Sequence, residues 1–200
     1  MSDLAEPVAR LAALLPGRDL TCDLSDTLGH TGALGRAFQS VWPGATFAGP
    51  ALTVRTVGTD LGAVYAGIAA APAGSVVVID THGTDHSAFW GENTTRAAQA
   101  RGVVAAVIDG ACRDVSAVRA LRFPVVCTGR IPQAGLRGPH GEVNVPVALG
   151  GVPVHPGDLI VGDDNGVVVL PAAEAARVVT AVLDAVGAAA IDSHSGAPFR

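Results

Sequence analysis

The apolar positions follow a helical period at the start of the chain. They recur at helical spacing from Leu4 to Leu15, and Pro16-Gly17 ends the pattern. We therefore predict an amphipathic helix over residues 3–15. Capping residues just ahead of two leucines predict a second short helix that starts near Ser25.

The middle of the chain alternates between strand and helix patterns. Residues 29–49 carry five glycines and Pro43, which predicts a loop with at most one short turn. Beyond this loop we predict strands at 51–57, 75–80, 103–108 and 124–127, and helices at 60–70, 92–100 and 115–121. Short, β-branched, apolar strands that alternate with helices are typical of right-handed βαβ units with a buried parallel sheet.

After Thr128 the pattern changes to short β-branched runs separated by glycine and proline. We predict a β-rich half, packed against the α/β half, with runs at 143–147, 152–154, 158–161 and 166–170. Asn165-Gly166 lies between two of these runs and is a strong hairpin signal. The alanine-rich residues 172–189 predict a terminal helix, and the tail from Asp192 is expected to fray.

Composition narrows the class of protein. The chain has 200 residues, 49% of them hydrophobic and 16% charged, which fits a single domain over 1–200 with an ample core. The net charge of −5 argues against a positively charged surface of the kind that binds nucleic acid, so we expect no nucleic-acid partner. Three cysteines without a CxxC motif predict neither a disulfide framework nor a cysteine zinc site. No segment has the length of a membrane span or the pattern of a signal peptide, so a cytoplasmic protein is expected.

The best candidate chemistry follows the predicted strand 103–108. The sequence there is Asp109-Gly110-Ala111-Cys112-Arg113-Asp114. In an open α/β sheet, ligands bind beyond the carboxyl ends of the strands. Arg113 offers a planar fork for an anion beside Asp114, a hard oxygen ligand, and this pairing suits a carboxylate held on a metal. The alternative is a surface ion pair with Asp114 as the N-cap of the following helix.

Three other features invite a functional interpretation. His82 and His86 with Asp80 suggest zinc, but the intervening Gly83 and the loop context favour solvated residues. Cys112 has no assigned base, which argues against a nucleophile. Asp109-Gly110 is interpreted as a turn, in which Asp109 caps or braces Arg113.

Three segments taken together resemble the RraA-like family. This family includes the class II 4-hydroxy-4-methyl-2-oxoglutarate/4-carboxy-4-hydroxy-2-oxoadipate aldolases and the regulators of ribonuclease E activity. The segments are Trp90-Gly91-Glu92 with Arg113-Asp114, residues 141–147 with Gly150-Gly151-Val152, and residues 156–171. The resemblance spans about residues 20–171. It implies a layered α/β/β/α swivelling-domain fold, assembled as a trimer or a hexamer with sites between subunits.

The resemblance also implies roles for individual residues. Arg113 matches the arginine that binds the pyruvyl oxygen, Asp114 the ligand of Mg²⁺ or Mn²⁺, and Glu92 the acid that orders metal-bound water. The backbone amides that follow match those that receive the substrate carboxylate. The implied substrate-binding positions are Gly91, Glu92, Asn93, Thr94 and Arg113.

Two departures from the family pattern bear on specificity. The aldolases often carry aliphatic residues at the positions of Asn93 and Thr94. They also receive an acid from the C-terminal region of a neighbouring subunit, for which this chain offers only Asp184 and Asp192.

The expected function is that of a metal-dependent lyase. It would act on a small 2-oxo acid through a pyruvate enolate, by retro-aldol cleavage or by decarboxylation of oxaloacetate. The alternative is a non-catalytic regulator that binds and inhibits a partner such as ribonuclease E. Regulators without catalysis commonly lose the metal-binding aspartate, so the presence of Asp114 favours the enzyme. A methyltransferase is a weaker third option, because no glycine fingerprint follows the first strand.

Overall fold

The structure is a computed structural model that describes the backbone of residues 5–194 and the side chains of residues 5–188. Over this range the helices are α1 (Ala5–Leu14), α2 (Leu20–Thr27), α3 (Gly62–Ala70), α4 (Glu92–Ala100), α5 (Val115–Ala120) and α6 (Ala172–His194). The strands are β1 (Gln39–Ser40), β2 (Phe47–Arg55), β3 (Val76–Asp80), β4 (Ala88–Trp90), β5 (Ala105–Cys112), β6 (Val125–Arg130), β7 (Glu142–Val143), β8 (Val147–Leu149), β9 (Val152–Val154), β10 (Leu159–Asp163) and β11 (Gly166–Leu170).

One long sheet connects both halves of the chain. Its main path runs β1-β6-β5-β3-β2-β10-β11, and β4 and β7 pair beside it. Strands β2, β3, β5 and β6 are parallel, as the βαβ pattern predicted, whereas β10 and β11 form an antiparallel hairpin. The first half of β2 pairs with β10 and its second half with β3. The β-rich half therefore continues the sheet of the α/β half.

Three apolar clusters define the layers. On β3, Ile79 faces a cluster that includes side chains of α3, α4 and α5, whereas Val78 faces the interior between the two halves of the sheet. On β10, Ile160 faces the same interior, and Val161 faces a cluster with α1, α2 and α6. Because successive strand residues point to opposite faces, each strand serves two clusters. The predicted α/β/β/α arrangement is confirmed.

The early part of the chain differs from the prediction at two places. Helix α2 begins at Leu20 rather than near Ser25, because its first turn is anchored to the sheet. The Thr21 N–H and hydroxyl donate to the Asp163 carboxylate at 2.9 and 2.7 Å. The loop predicted over 29–49 is interrupted by the two-residue strand β1 and ends early, since β2 begins at Phe47.

Strand β5 also differs from the prediction. It was expected to end at Ile108 but continues to Cys112 with an irregularity in its pairing. The extension is covered on both sides, since Ala111 pairs with Ala88 of β4 and with Gly129 of β6. Asp109 and Gly110 are therefore strand residues, and the prediction of a turn was wrong.

The C-terminal helix extends beyond its predicted end at 189 and continues to His194. The fraying expected from Asp192 stays a prediction, and residues 1–4 and 195–200 lie outside the described range. No helix in the described range is long and apolar enough to cross a bilayer. The three cysteines are free thiols.

Candidate active site

The two halves of the sequence motif meet because β4 and β5 pair in parallel and end side by side. Trp90 is in register with Cys112, and the Arg113 N–H donates to the Trp90 carbonyl at 2.9 Å. Each strand then gives way to a helix, α4 after Gly91 and α5 after Asp114. The residues between the two halves of the motif, Trp90-Gly91-Glu92 and Arg113-Asp114, therefore return the chain to the same edge of the sheet.

Asp114 turns back towards helix α4. Its backbone adopts the left-handed conformation, with φ of 53°. The carboxylate Oδ2 accepts the Glu92 N–H at 3.1 Å and lies 3.5 Å from Arg113 Nε. Asp114 occupies the N-cap position of α5, but its side chain makes no capping hydrogen bond to that helix. The ion pair of the alternative interpretation is present, and the cap is not.

Gly91 leaves the space into which this carboxylate fits. A Cβ atom at Gly91 would lie 2.6 Å from Asp114 Oδ2 and 3.1 Å from Arg113 Cγ. The φ of Gly91 is −174°, an extended conformation open to any residue. The site therefore requires glycine at position 91 because a side chain would clash with the Asp114 carboxylate, and not because of the backbone conformation.

The N-terminus of α4 offers backbone donors to an anion. The Gly91 N–H donates to Thr94 Oγ1 at 2.9 Å, and that hydroxyl donates to the Gly91 carbonyl at 3.0 Å. Within the described chain, the N–H groups of Asn93 and Thr94 have no acceptor. Such amides at a helix start form an anion site. The buried Thr94 hydroxyl caps the N-terminus of α4 through these two hydrogen bonds with Gly91, which accounts for a polar residue at this position.

Glu92 contacts the site through its backbone. Its carboxylate accepts from Arg96 Nε at 2.9 Å, one turn along the exposed face of α4. The predicted role of Glu92 in ordering water would need this side chain to turn away from Arg96. That role stays a prediction.

A small pocket brings these groups together. It holds about 280 Å³ of free space, part of it open to solvent, and its lining comprises Leu61, Tyr65, Ala88, Phe89, Trp90, Gly91, Asn93, Thr94, Arg113, Asp114 and Ala134. The apolar wall from α3 and from the segment at Ala134 was missed from the sequence. Tyr65 is nearly fifty residues from Arg113 along the chain, so no local pattern could indicate its place here.

The donor set suits a hard divalent cation. Asp114 offers one carboxylate, and no group of three or more His, Cys, Asp or Glu side chains in the described range could enclose a metal. Mg²⁺ commonly binds through one or two carboxylates and completes its shell with water and substrate. The pocket around Asp114 thus fits Mg²⁺ or Mn²⁺ and does not fit a closed structural zinc site.

The remaining candidates form no metal site in the part of the chain that the structure describes. Asp80 is buried and accepts the His82 N–H at 2.8 Å, whereas the exposed His86 lies 3.3 Å from Asp85. Burial raises the pKa of the Cys112 thiol to about 12, so the thiol is neutral near pH 7 and a poor nucleophile.

Two predicted acids lie away from the site. Asp109 accepts the Gly150 N–H at 3.4 Å, and among the described residues it forms no ion pair with Arg113, which pairs with Asp114 instead. Asp184 is exposed on α6, in the helical layer on the opposite face of the sheet from α4. Asp184 would have to come from another subunit to reach a pocket of this kind. The side chain of Asp192 lies outside the described range.

The fold and the pocket define a class: a layered α/β/β/α protein with an arginine, a carboxylate and a helix N-terminus at one anion site. The sequence profile of the RraA-like family, described as Aldolase/RraA, matches residues 21–169. The chain belongs to the RraA-like family, as the sequence predicted.

Individual relatives carry two kinds of name. A protein of Halalkalibacterium halodurans named "Putative 4-hydroxy-4-methyl-2-oxoglutarate aldolase" is 43% identical over 123 residues, which cover 62% of this chain and 59% of that protein. The match thus spans less than two thirds of that relative. The solved structure of the RNA-processing inhibitor RraA from Thermus thermophilus is 33% identical, with a TM-score of 0.70, and the match covers 76% of this chain and 92% of that one. Streptomyces coelicolor RraAS2, described as an unusual member of the RNase ES inhibitor RraA family, is 27% identical with a TM-score of 0.78 over 94% of this chain and 96% of its own.

Proposed function

We propose that this protein is a metal-dependent lyase that cleaves small 2-oxo acids through a pyruvate enolate. Its reactions would be retro-aldol cleavage of 4-hydroxy-4-methyl-2-oxoglutarate, decarboxylation of oxaloacetate, or both. The observation that carries the proposal is the meeting of Arg113, Asp114 and the open amides of α4 in one pocket. Membership of a family with aldolase-named relatives supports the same class of reaction.

Different groups of the pocket would bind different parts of a 2-oxo acid. The amides of Asn93 and Thr94 would receive the carboxylate, because a helix N-terminus favours negative charge. The Arg113 guanidinium would donate to the keto oxygen. Negative charge grows on that oxygen as the carbon–carbon bond breaks, and a preorganised donor there stabilises the transition state more than the ground state.

Asp114 would hold the divalent cation, Mg²⁺ or Mn²⁺. When bound, the cation supplies Lewis-acid stabilisation of the developing enolate. The Glu92 N–H and Arg113 fix the carboxylate of Asp114 at 3.1 and 3.5 Å, so its orientation is set before ligand arrives. Glu92, turned from Arg96, would order the water that carries the proton.

A binding role is the second candidate. Two solved relatives are described as inhibitors in RNA processing or of RNase ES, and one of them matches 94% of this chain. In that case the pocket would be incidental and an exposed surface would bind a partner such as ribonuclease E. An activity assay separates the two candidates.

The test is pyruvate release from oxaloacetate and from 4-hydroxy-4-methyl-2-oxoglutarate, with Mg²⁺ and with EDTA. We expect turnover that EDTA abolishes and Mg²⁺ restores. Asp114→Asn keeps an oxygen for the Glu92 N–H but loses the charge, so it should fold normally and lose metal-dependent turnover. Arg113→Lys keeps the charge but loses the planar fork, and both kcat and kcat/KM should fall at least about tenfold.

Arg119→Lys is the matched control, since Arg119 is exposed at the end of α5 and outside the pocket. It should leave both constants unchanged. Full activity of Asp114→Asn, or EDTA-resistant turnover, would contradict the proposed role of the metal. No turnover of either substrate at any metal concentration would favour the binding role.

A further inference from the structure

A second cation, Arg137, contacts a residue that lines the pocket. Arg137 Cζ lies 3.7 Å from the centroid of the Tyr65 ring, a cation–π contact. Tyr65 itself lines the pocket together with Asn93 and Arg113. Within the described chain, no carboxylate forms an ion pair with Arg137. Its guanidinium donors are therefore open to a ligand.

The backbone around Arg137 is fixed by the buried carboxylate of Asp60. This carboxylate accepts the N–H groups of Gly62 at 2.7 Å, Gly138 at 2.8 Å and His140 at 2.9 Å. These amides, that of Gly62 first, hold the pKa of Asp60 below its ordinary value. A Cβ atom at Gly138 would lie 2.3 Å from Asp60 Oδ2, so the turn closes tightly on the carboxylate.

The residue before Arg137 is fixed as well. The Leu136 N–H donates to the Thr59 carbonyl at 3.0 Å, and the Leu61 N–H donates to the Leu136 carbonyl at 2.8 Å. The segment that carries Arg137 is thus tied on both sides to the start of α3, the helix that carries Tyr65. The cation and the ring on which it rests are held by one set of hydrogen bonds.

We propose that Arg137 binds the carboxylate at the far end of the substrate, and so makes the site selective for 2-oxo acids with a second carboxylate. The inference rests on the proposed function and adds to it a residue that would determine specificity. An arginine fork grips a carboxylate through two parallel hydrogen bonds. The contact with Tyr65 has already restricted the side chain, so less rotamer entropy is lost on binding.

Charge balance in the pocket supports this assignment. Asp114 places one negative charge beside Arg113, 3.5 Å from its Nε. A substrate with two carboxylates would bring two more negative charges into the same small pocket. Arg137 would balance the negative charge of the second carboxylate, whereas a monocarboxylate has no second charge for Arg137 to bind. Asp60 acts here as a positioning residue, which holds the arginine in place without touching substrate.

The experiment compares two substrates that share the bond to be broken. 4-Hydroxy-4-methyl-2-oxoglutarate carries a distal carboxylate on C4, and 4-hydroxy-2-oxopentanoate carries a hydrogen atom in its place. For Arg137→Gln we expect kcat/KM to fall roughly ten- to a hundredfold on the first and less than about twofold on the second, because one charged, bidentate contact is lost. Arg119→Gln, the matched control, should change neither value.

Asp60→Asn supplies a second variant. It should raise KM for the dicarboxylate with little change in kcat, and spare the monocarboxylate; a merely structural role would lower activity on both alike. A turnover-free measurement is calorimetric binding of 2-oxoglutarate and pyruvate with Mg²⁺, in which Arg137→Gln should weaken only the former.

The outcomes of the two proposals are distinct. Equal effects of Arg137→Gln on the two substrates, or no effect on either, would overturn the role of Arg137 and leave the lyase proposal standing. A wild-type protein that neither turns over nor binds any of these 2-oxo acids would overturn both.

Discussion

At the scale of the residue, Asp114 shows how a common sequence feature acquires an uncommon role. An aspartate at the start of a helix normally accepts an amide of that helix. Here the left-handed backbone of Asp114 turns its carboxylate to the amide of Glu92 on the neighbouring helix instead. The charge stays partly exposed, with 38% of the side chain accessible. It is therefore available to a cation.

Gly91→Ala tests whether the room beside this carboxylate matters. The added methyl would lie 2.6 Å from Asp114 Oδ2, so the carboxylate must move and Mg²⁺-dependent activity should fall at least about tenfold. The melting temperature should change little, because the φ of −174° suits alanine. Kinetics and thermal unfolding measure the two effects.

Gly35→Ala is the control, because a Cβ there meets nothing within 4 Å and its φ is not positive. It should leave activity unchanged. An active Gly91→Ala enzyme with an unchanged requirement for Mg²⁺ would argue against Asp114 as the metal ligand.

The residues of the motif could be read from the sequence because they lie next to two recognisable strands. Arg113, Asp114 and the α4 amides needed only the expectation that parallel strands end at one edge. Tyr65 and Arg137 could not be found in this way. Their contact depends on a turn that closes around the Asp60 carboxylate, and Asp60 lies seventy-odd residues before Arg137 in the chain. A single arginine among glycines and prolines gives no pattern in the sequence.

At the scale of the element, strand β5 is the part of the fold that the sequence described least well. Asp109-Gly110 has the composition of a turn, yet it lies inside the strand because β4 and β6 pair with the extension beyond it. Turn propensity is a local preference, and pairing on both edges outweighs it. The start of α2 was misplaced for a similar reason, since its first turn is bound to Asp163, 142 residues away. The apolar cores of β3 and β5 were correctly placed because an uninterrupted β-branched run leaves few alternatives.

Two buried thiols on adjacent strands give a pH prediction. Burial raises the pKa of Cys112 on β5 and of Cys127 on β6. Above about pH 9 the unfolded thiols lose their protons while the folded ones keep them, so the unfolded state binds fewer protons and stability falls as pH rises. The free energy of unfolding in urea should drop between pH 8 and 10.5, by at most about 1.4 kcal/mol per pH unit for each thiol.

Cys112→Ala should reduce that slope, whatever it costs in packing at pH 8. Cys22→Ala, at an exposed thiol, should keep most of it. An unchanged slope for Cys112→Ala would mean that this thiol ionises as easily in the folded protein as in the unfolded chain.

At the scale of the whole molecule, the surface beside the pocket bears on assembly. Two large apolar side chains are exposed in the described range, Val57 at 56% and Leu136 at 76%. Both lie on the segments that adjoin the pocket at Leu61 and Ala134. We predict that light scattering will give a mass that is a multiple of three chains, because the family resemblance implies a trimer or a hexamer.

Leu136→Asp should weaken that assembly and lower activity together, if the site is completed by a neighbouring subunit. Val186→Asp on α6, half-buried on the opposite helical layer, serves as a control for general loss of stability. A wild-type monomer with normal turnover would contradict the prediction.

Strand β2 has a further consequence, for the order in which the protein can form. Its first half pairs with β10, more than a hundred residues later, and its second half with β3. During synthesis, β3 leaves the ribosome long before β10. The second half of β2 can therefore pair with β3 while the edge of the first half, which pairs with β10, is still unpaired. Such an edge is a template for other chains, and long-range pairing is slow. We expect nascent chains that end before residue 159 to need a chaperone, and full-length chains to acquire protease resistance in one late step.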